Sequence, residues 1–120
     1  MGFSDEFRAR TKAFALRSIR LYQQLPKTGE ASILGKQYLR AATSTAANYR
    51  AACRARSKAE FVAKLGIVVE EADESVFWLE LLTESDILKS NATEAALKEA
   101  NEIMRIASSS RKTAKENLKK

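Results

Sequence analysis

The sequence contains no histidine among its 120 residues, and this absence excludes most of the common catalytic arrangements. A Ser-His-Asp or Cys-His site, a His-ligated zinc ion and a Glu-x-x-His di-iron bundle all require an imidazole, as does the Arg/His arrangement of the small helical ribonucleases. The chain also lacks a glycine-rich phosphate loop. We therefore expect a protein that is not an enzyme and that holds no cofactor and no metal ion.

Cysteine, proline, glycine and long apolar runs are also scarce. The single cysteine, Cys53, excludes an intramolecular disulfide and is typical of the reducing cytoplasm, where we expect the protein to reside. One proline and four glycines leave few turn residues for a β protein. No apolar run reaches about 18 residues, so no membrane span is expected. The abundant residues, Ala, Leu, Lys, Arg and Glu, are helix formers.

Charge is segregated along the chain, which has a net charge of +6. Residues 1–58 contain twelve Lys and Arg against three Asp and Glu. Residues 59–103 contain three against eleven, and residues 104–120 contain six against one. This pattern predicts an acidic helix lying among basic ones, with a basic outer surface suited to a polyanion.

Helix caps and apolar periodicity predict an all-α fold in which residues 1–120 form one domain. The helices are predicted at residues 4–25, 30–53, 58–89 and 92–118. Ser4 is expected to cap the first helix, and Ser57 with Glu60 forms a capping box at the third. Asn91 or Thr93 is expected to cap the fourth. The short connections favour an antiparallel up-down-up-down four-helix bundle.

The third predicted helix has more apolar residues than one buried face requires. Beside its core stripe runs a second stripe that includes Val62, Val69 and Val76, and Phe77 and Trp78 extend it. A helix that is apolar on more than one side is buried on more than one side. We therefore expect these five residues to form contacts between subunits of a homo-oligomer. The alternative for Phe77 and Trp78 is stacking on nucleic-acid bases.

The segment from Thr43 to Leu82 resembles a known family. It combines a small-residue stretch ending at Asn48, the motif Ser57-x-x-Glu60-Phe61, then Leu65 and an acidic stretch. These features are similar to the bacterial four-helix-bundle proteins first noticed in intervening sequences of 23S ribosomal RNA genes. This chain has Asn-Tyr-Arg-Ala-Ala where a commoner family pattern has Asn-Ile-Ala-Glu-Gly, which makes the local surface more basic.

The resemblance implies a left-handed bundle that assembles into a ring-shaped homopentamer. Members have no established enzymatic activity, and the function of most of them is uncharacterised. A related protein, the accessory protein of diversity-generating retroelements, is a basic pentamer that binds nucleic acid and a reverse transcriptase.

Six cations are candidates for contact with nucleic acid, and RNA in particular: Arg50, Arg54, Arg56, Lys58, Arg17 and Arg20. Arg50 and Arg54 are four residues apart and share a helix face, and Arg56 and Lys58 extend the patch around a turn. Guanidinium forks suit phosphates, and no feature of the sequence indicates base reading. Two alternatives stay open, namely an ordinary solvated surface and a scaffold whose basic face binds an acidic protein partner.

The acidic cluster Glu70, Glu71, Asp73 and Glu74 is the second candidate site. Paired carboxylates can act in acid–base catalysis or bind a divalent metal. Because the chain has no histidine and no second acid-rich helix, we expect ion pairs with arginines of the second helix or of a neighbouring subunit instead.

Overall fold

The computed structural model of the protein describes residues 2–119, so Met1 and Lys120, the two ends of the predicted domain, lie outside the described residues. Within this range the chain forms four helices and no strand, which confirms the predicted all-α class. The helices are α1 (Phe3–Gln23), α2 (Gly29–Cys53), α3 (Lys58–Glu84) and α4 (Asn91–Leu118). None of them is long and apolar enough to cross a membrane.

The start of α3 follows the predicted cap. The side-chain oxygen of Ser57 accepts a hydrogen bond from the amide of Glu60 at 3.0 Å. The Glu60 carboxylate reaches back one residue further than a standard capping box, and accepts from the amide of Arg56 at 3.4 Å.

The predicted caps of α1 and α4 are wrong. The capping residue of α4 is Ser90, whose hydroxyl oxygen accepts from the amide of Thr93 at 3.2 Å. Asn91 is the first helical residue. At α1 the flanking residue is Gly2, so Ser4 lies inside the helix instead of capping it.

The third helix ends at Glu84, five residues before its predicted end. Asp86 adopts a left-handed φ of 66°, a conformation that Asp tolerates better than most residues. The amide of Leu88 then donates to the carbonyl of Leu82 at 3.0 Å, which turns the chain back on itself. Leu88 is buried in the core from this turn, so its apolar character does not extend the helix.

The helices pack as sequential antiparallel neighbours, an arrangement compatible with a four-helix bundle. Each of α1 and α3 packs against both α2 and α4, and the two diagonal pairs do not approach each other. The core contains Phe14, Tyr38 and Tyr49, all less than 2% exposed. The buried Ala41 and Ala42 let the neighbouring helices approach α2 closely.

A buried polar pair links α1 to α2 inside this core. The Ser18 hydroxyl donates to the carbonyl of Phe14 at 2.8 Å, and its oxygen lies 2.6 Å from the hydroxyl of Tyr38. Since the Ser18 proton points to Phe14, Tyr38 is the donor in the second bond. Burial raises the pKa of Tyr38 to about 12.

Candidate nucleic-acid interface at the basic end

The antiparallel arrangement brings ten of the chain's 21 lysines and arginines to one end of the bundle. This end contains the start of α1, the end of α2, the start of α3 and the end of α4. We call it the basic end. Its cations are Arg8, Lys12, Arg50, Arg54, Arg56, Lys58, Arg111, Lys112, Lys115 and Lys119. Its acids are fewer: Asp5, Glu6, Glu60, Glu70 and Glu116. Charge that is sorted along the sequence is therefore also sorted along the 51 Å axis of the molecule.

A groove of about 670 Å³ runs between α1 and α2 at the basic end, and we call it the α1–α2 groove. Four cations and one acid line it, with three alanines between them. The lining residues are Asp5, Arg8, Ala9, Lys12, Ala46, Ala47, Arg50 and Arg54. The short alanine side chains do not project between the cations, so an extended anion can approach several cations at once.

Three of the four cations in the α1–α2 groove have no partner within residues 2–119. Arg8 donates to Asp5 at 2.8 Å, in an i,i+3 pair whose side chains are both 46% exposed. Lys12, Arg50 and Arg54 are exposed and make no ion pair or side-chain hydrogen bond with that part of the chain. Their donors are therefore available to an external anion.

The structure brings four of the six predicted contact residues to one end of the bundle. Arg50 and Arg54 lie in the α1–α2 groove itself. Arg56 and Lys58 lie at the adjacent turn between α2 and α3, and both are exposed. Lys58 also lines a shallow cavity whose far wall is α4, so the patch continues around the end of the bundle.

The other two predicted residues, Arg17 and Arg20, are exposed but are not among the residues that line the groove. Arg17 lies on the side of α1 that faces α4, where its charge helps to lower the pKa of Glu99. At about 100° per residue, Arg17 and Arg20 lie about 140° and 80° around the helix from Lys12. The structure therefore does not join them to Arg50 and Arg54.

Two further arginines, Arg10 and Arg40, are held by carboxylates and are not free to bind an anion. Arg10 donates to both oxygens of Glu99 at 2.7 Å and to Glu102 at 2.7 Å. The hydrogen bonds to Glu99 raise the pKa of Arg10 and lower that of Glu99, although desolvation opposes both shifts. Such charge-assisted forks fix the position of α4 against α1.

The acidic cluster is partly neutralised by α2, which confirms the expected ion pairs with an arginine of the second helix. Arg40 donates to Glu71 at 3.0 Å and to Glu74 at 2.6 Å. Glu70 faces α4, and Asp73 is exposed. In the part of the chain that the structure describes, no group of three or more His, Cys, Asp or Glu could hold a metal ion.

Two of the five residues predicted for the oligomer interface lie in the core of the single chain instead. Val62 and Val76 are each only 7% exposed, because α3 packs between α2 and α4 and the core of the single chain covers both. Val69 is half-buried against the same core. The remaining two, Phe77 and Trp78, form an edge-to-face pair with centroids 5.0 Å apart.

The outer face of α3 carries exposed apolar area, and the sequence analysis identified only part of it. Phe77 is 49% exposed, and Ile67, which was not predicted, is 38% exposed. Trp78 is half-buried, and its Nε1 is buried with no hydrogen-bond partner among residues 2–119. Ile67, Glu70, Glu74 and Phe77 follow the helical period, so the spacing alone places Ile67 on this face.

Sequence reasoning also missed Lys12 as a member of the α1–α2 groove. Arg8 and Lys12 are four residues apart and share a face near the start of α1. In an antiparallel pair, the start of α1 lies beside the end of α2, which carries Arg50 and Arg54. These two features together predict a four-cation cluster.

Comparison with known proteins gives a consistent assignment. Residues 6–109 match the sequence model of the family described as 23S rRNA-intervening sequence protein. The crystal structure of a protein with unknown function from the S23 ribosomal protein family of Bacteroides thetaiotaomicron is similar over 91% of this chain and 97% of that one. Its TM-score is 0.83 and its sequence identity is 33%. No curated protein matches the chain.

Proposed function

This chain belongs to the 23S rRNA-intervening sequence protein family, and on that premise we propose that it is a non-enzymatic, nucleic-acid-binding accessory protein. Its ligand is structured RNA, and the contact is made by the basic end to the phosphate backbone. Recognition rests on charge and shape, because the cations of the basic end offer guanidinium and ammonium donors that suit phosphates.

The observation that carries this proposal is the set of unpaired cations in and beside the α1–α2 groove. Lys12, Arg50 and Arg54 project from two helices around a shallow alanine surface, and no acid of residues 2–119 neutralises them. Elsewhere on the same chain, Arg10 and Arg40 are neutralised by two carboxylates each. A phosphate backbone supplies the missing counter-charges and releases its own bound cations, which favours binding.

The proposal includes assembly into a ring-shaped homo-oligomer, with a pentamer as the expected state. The outer face of α3 supports it, because Phe77 and Ile67 expose apolar area there. Repeating the basic end around a ring multiplies the phosphate contacts without any new residue, so the avidity for a long RNA rises steeply.

A second function is favoured by the alanines of the α1–α2 groove. Ala9, Ala46 and Ala47 offer an apolar surface on which side chains of a protein could pack. In this alternative the protein is an interaction scaffold, and its basic end binds an acidic protein partner. The two functions differ in the ligand that the same cations select.

The experiment that tests the nucleic-acid function compares two triple variants that each remove three positive charges. In the first, Arg50, Arg54 and Arg56 are replaced by Gln. In the control, the exposed cations Arg20, Lys27 and Lys36, which lie outside the basic end, are replaced by Gln. The binding of a structured RNA fragment is measured by fluorescence anisotropy, and the mass of each protein by light scattering.

We expect the first variant to lose at least about tenfold in affinity at about 0.1 M salt, because three phosphate contacts are removed. The control should lose less than about threefold, since it changes only the long-range field. Both should keep the oligomeric mass of the unmodified protein. Equal losses in the two variants, or no loss in the first, would show that the basic end is not the binding surface. If the protein binds polyglutamate and does not bind RNA, the result favours the scaffold function.

A further inference from the structure

A second groove opens at the basic end between α3 and α4, on the opposite side of the bundle from the α1–α2 groove. We call it the α3–α4 groove. Its volume is about 600 Å³, within the range of ligand-binding clefts. Four cations and two acids line it: Arg111, Lys112, Lys115 and Lys119 with Glu70 and Glu116, beside Gly66, Val69 and Ser108.

Arg111 is seated against the backbone of α3 by the absence of a side chain at Gly66. A Cβ atom at Gly66 would lie 3.0 Å from Nε of Arg111, and 3.5 Å from its Cζ and Nη2. The guanidinium therefore packs against α3 at a position where a side chain would crowd it. A seated guanidinium has lost part of its rotamer freedom before any ligand arrives, so less entropy is lost on binding.

This guanidinium has no counter-charge. Arg111 makes no ion pair with residues 2–119, even though Glu70 lines the same groove, and its Nε is buried without a hydrogen-bond partner. A buried polar group without a partner is uncommon and calls for a physical explanation. The lysines at 112 and 115 add point charges on the same side of α4, so the groove keeps a positive balance despite its two acids.

We propose that the α3–α4 groove binds a phosphate-bearing polyanion. Arg111 supplies the planar fork that holds one phosphate, and Lys112 and Lys115 supply flanking charges. The phosphates belong either to a nucleic-acid backbone or to a free polyphosphate. The site shares no residue with the α1–α2 groove, so it can be tested independently of the RNA contact proposed above.

The test titrates the full-length protein with inorganic pyrophosphate by isothermal calorimetry. Arg111→Lys keeps the charge and removes the fork. Gly66→Val keeps every charge and fills the seat of the guanidinium. Arg105→Gln is the matched control, since it removes one exposed cation of α4 that does not line the groove. Thermal melts verify that each variant folds. If Gly66→Val does not fold, the Arg111→Lys variant tests the proposal without it.

We expect the unmodified protein to bind pyrophosphate, and we expect Arg111→Lys and Gly66→Val to weaken that binding at least about tenfold. Arg105→Gln should stay within about twofold of the unmodified protein. The proposal is overturned if the unmodified protein does not bind pyrophosphate, if Arg111→Lys binds as tightly as the unmodified protein, or if Arg105→Gln weakens binding equally.

The same variants identify the source of the phosphate. If they weaken RNA and pyrophosphate binding by similar factors, the groove holds a backbone phosphate of the nucleic acid. If they weaken pyrophosphate binding and leave RNA affinity unchanged, the ligand is a free polyphosphate. Loss of RNA binding in the Arg50, Arg54 and Arg56 variant, with pyrophosphate binding intact, would show that the two grooves act independently.

Discussion

Two glycines inside helices should respond to the same substitution with opposite signs. Gly35 of α2 and Gly66 of α3 both have ordinary helical backbones. Replacing either by Ala reduces the conformational freedom of the unfolded chain and should stabilise the protein by about 0.5–1 kcal/mol through helix propensity. The difference arises from what the added methyl group would contact.

At Gly35 the new Cβ would overlap Cδ1 of Leu25 and lie 3.1 Å from two ring carbons of Tyr22. Leu25 is 8% exposed and lies in the tight turn before Pro26, so it cannot move without disturbing the core. Overpacking of this kind typically costs about 1–3 kcal/mol. Subtracting the gain in propensity leaves a net destabilisation of about 0–2.5 kcal/mol for Gly35→Ala, with a middle value of about 1 kcal/mol.

At Gly66 the nearest neighbour of the new Cβ is the end of the Arg111 side chain, at 3.0 Å. The guanidinium is the far end of a flexible, partly exposed side chain, so a small shift that leaves Arg111 in the α3–α4 groove relieves the contact at little cost. The gain in propensity should then dominate, and we expect Gly66→Ala to stabilise the protein by about 0.5 kcal/mol.

Urea unfolding monitored by circular dichroism gives the free energies of both variants, and thermal melts give a second reading. One kcal/mol corresponds to about 4 °C in a domain of this size. The protein concentration must be held constant, because self-association would shift the transition. Changes of the same sign in the two variants would refute the reasoning, since they would show that the neighbours of the added methyl do not decide the outcome.

Three further outcomes follow from individual contacts. Ser18→Ala should lower the free energy of unfolding by about 1–3 kcal/mol, because it leaves the buried Tyr38 hydroxyl without an acceptor. Tyr38→Phe should lower it by about 1 kcal/mol, and urea unfolding measures both changes. Glu99→Gln should cost about 0.5–1 kcal/mol at pH 7. Because the pKa of Glu99 is lowered in the folded state, the difference from the unmodified protein should begin to shrink as the pH falls below the ordinary glutamate pKa of about 4.3, and should vanish below the pKa of the folded state. Val76→Asp should unfold the chain, and circular dichroism detects the loss of helix. Phe77→Asp should leave the chain helical and reduce the mass of the oligomer, which light scattering measures.

Much of the fold could be predicted because its determinants are local. Ser57 and Glu60 are three residues apart, so the cap of α3 depends on a single turn of the chain. The apolar period of each helix is equally local. The early end of α3 could not be read in this way, because Ile87 and Leu88 continue the apolar pattern although they pack on the core from a loop. What ends the helix is the left-handed conformation of Asp86.

The candidate site was only partly predictable because a one-dimensional pattern does not identify the neighbour that covers a face. The excess apolar character of α3 was attributed to subunit contacts, but Val62 and Val76 are covered by helices of the same chain. Likewise, the spacing of Arg50 and Arg54 predicted a shared face, but Lys12 joins them only through the packing of α1 on α2. Arg10 and Arg40 are equally basic in the sequence, and only the structure shows their carboxylate partners.

The salt dependence of RNA binding tests the central claim most directly. The logarithm of the association constant is plotted against the logarithm of the salt concentration, for the unmodified protein and for the variant in which Arg50, Arg54 and Arg56 are Gln. If these arginines neutralise backbone phosphates, the slope of the unmodified protein is steeper by about 2–3 units, which corresponds to about 0.7–0.9 per lost contact. Parallel lines for the two proteins would contradict the account, because they would mean that Arg50, Arg54 and Arg56 release no counterions from the RNA.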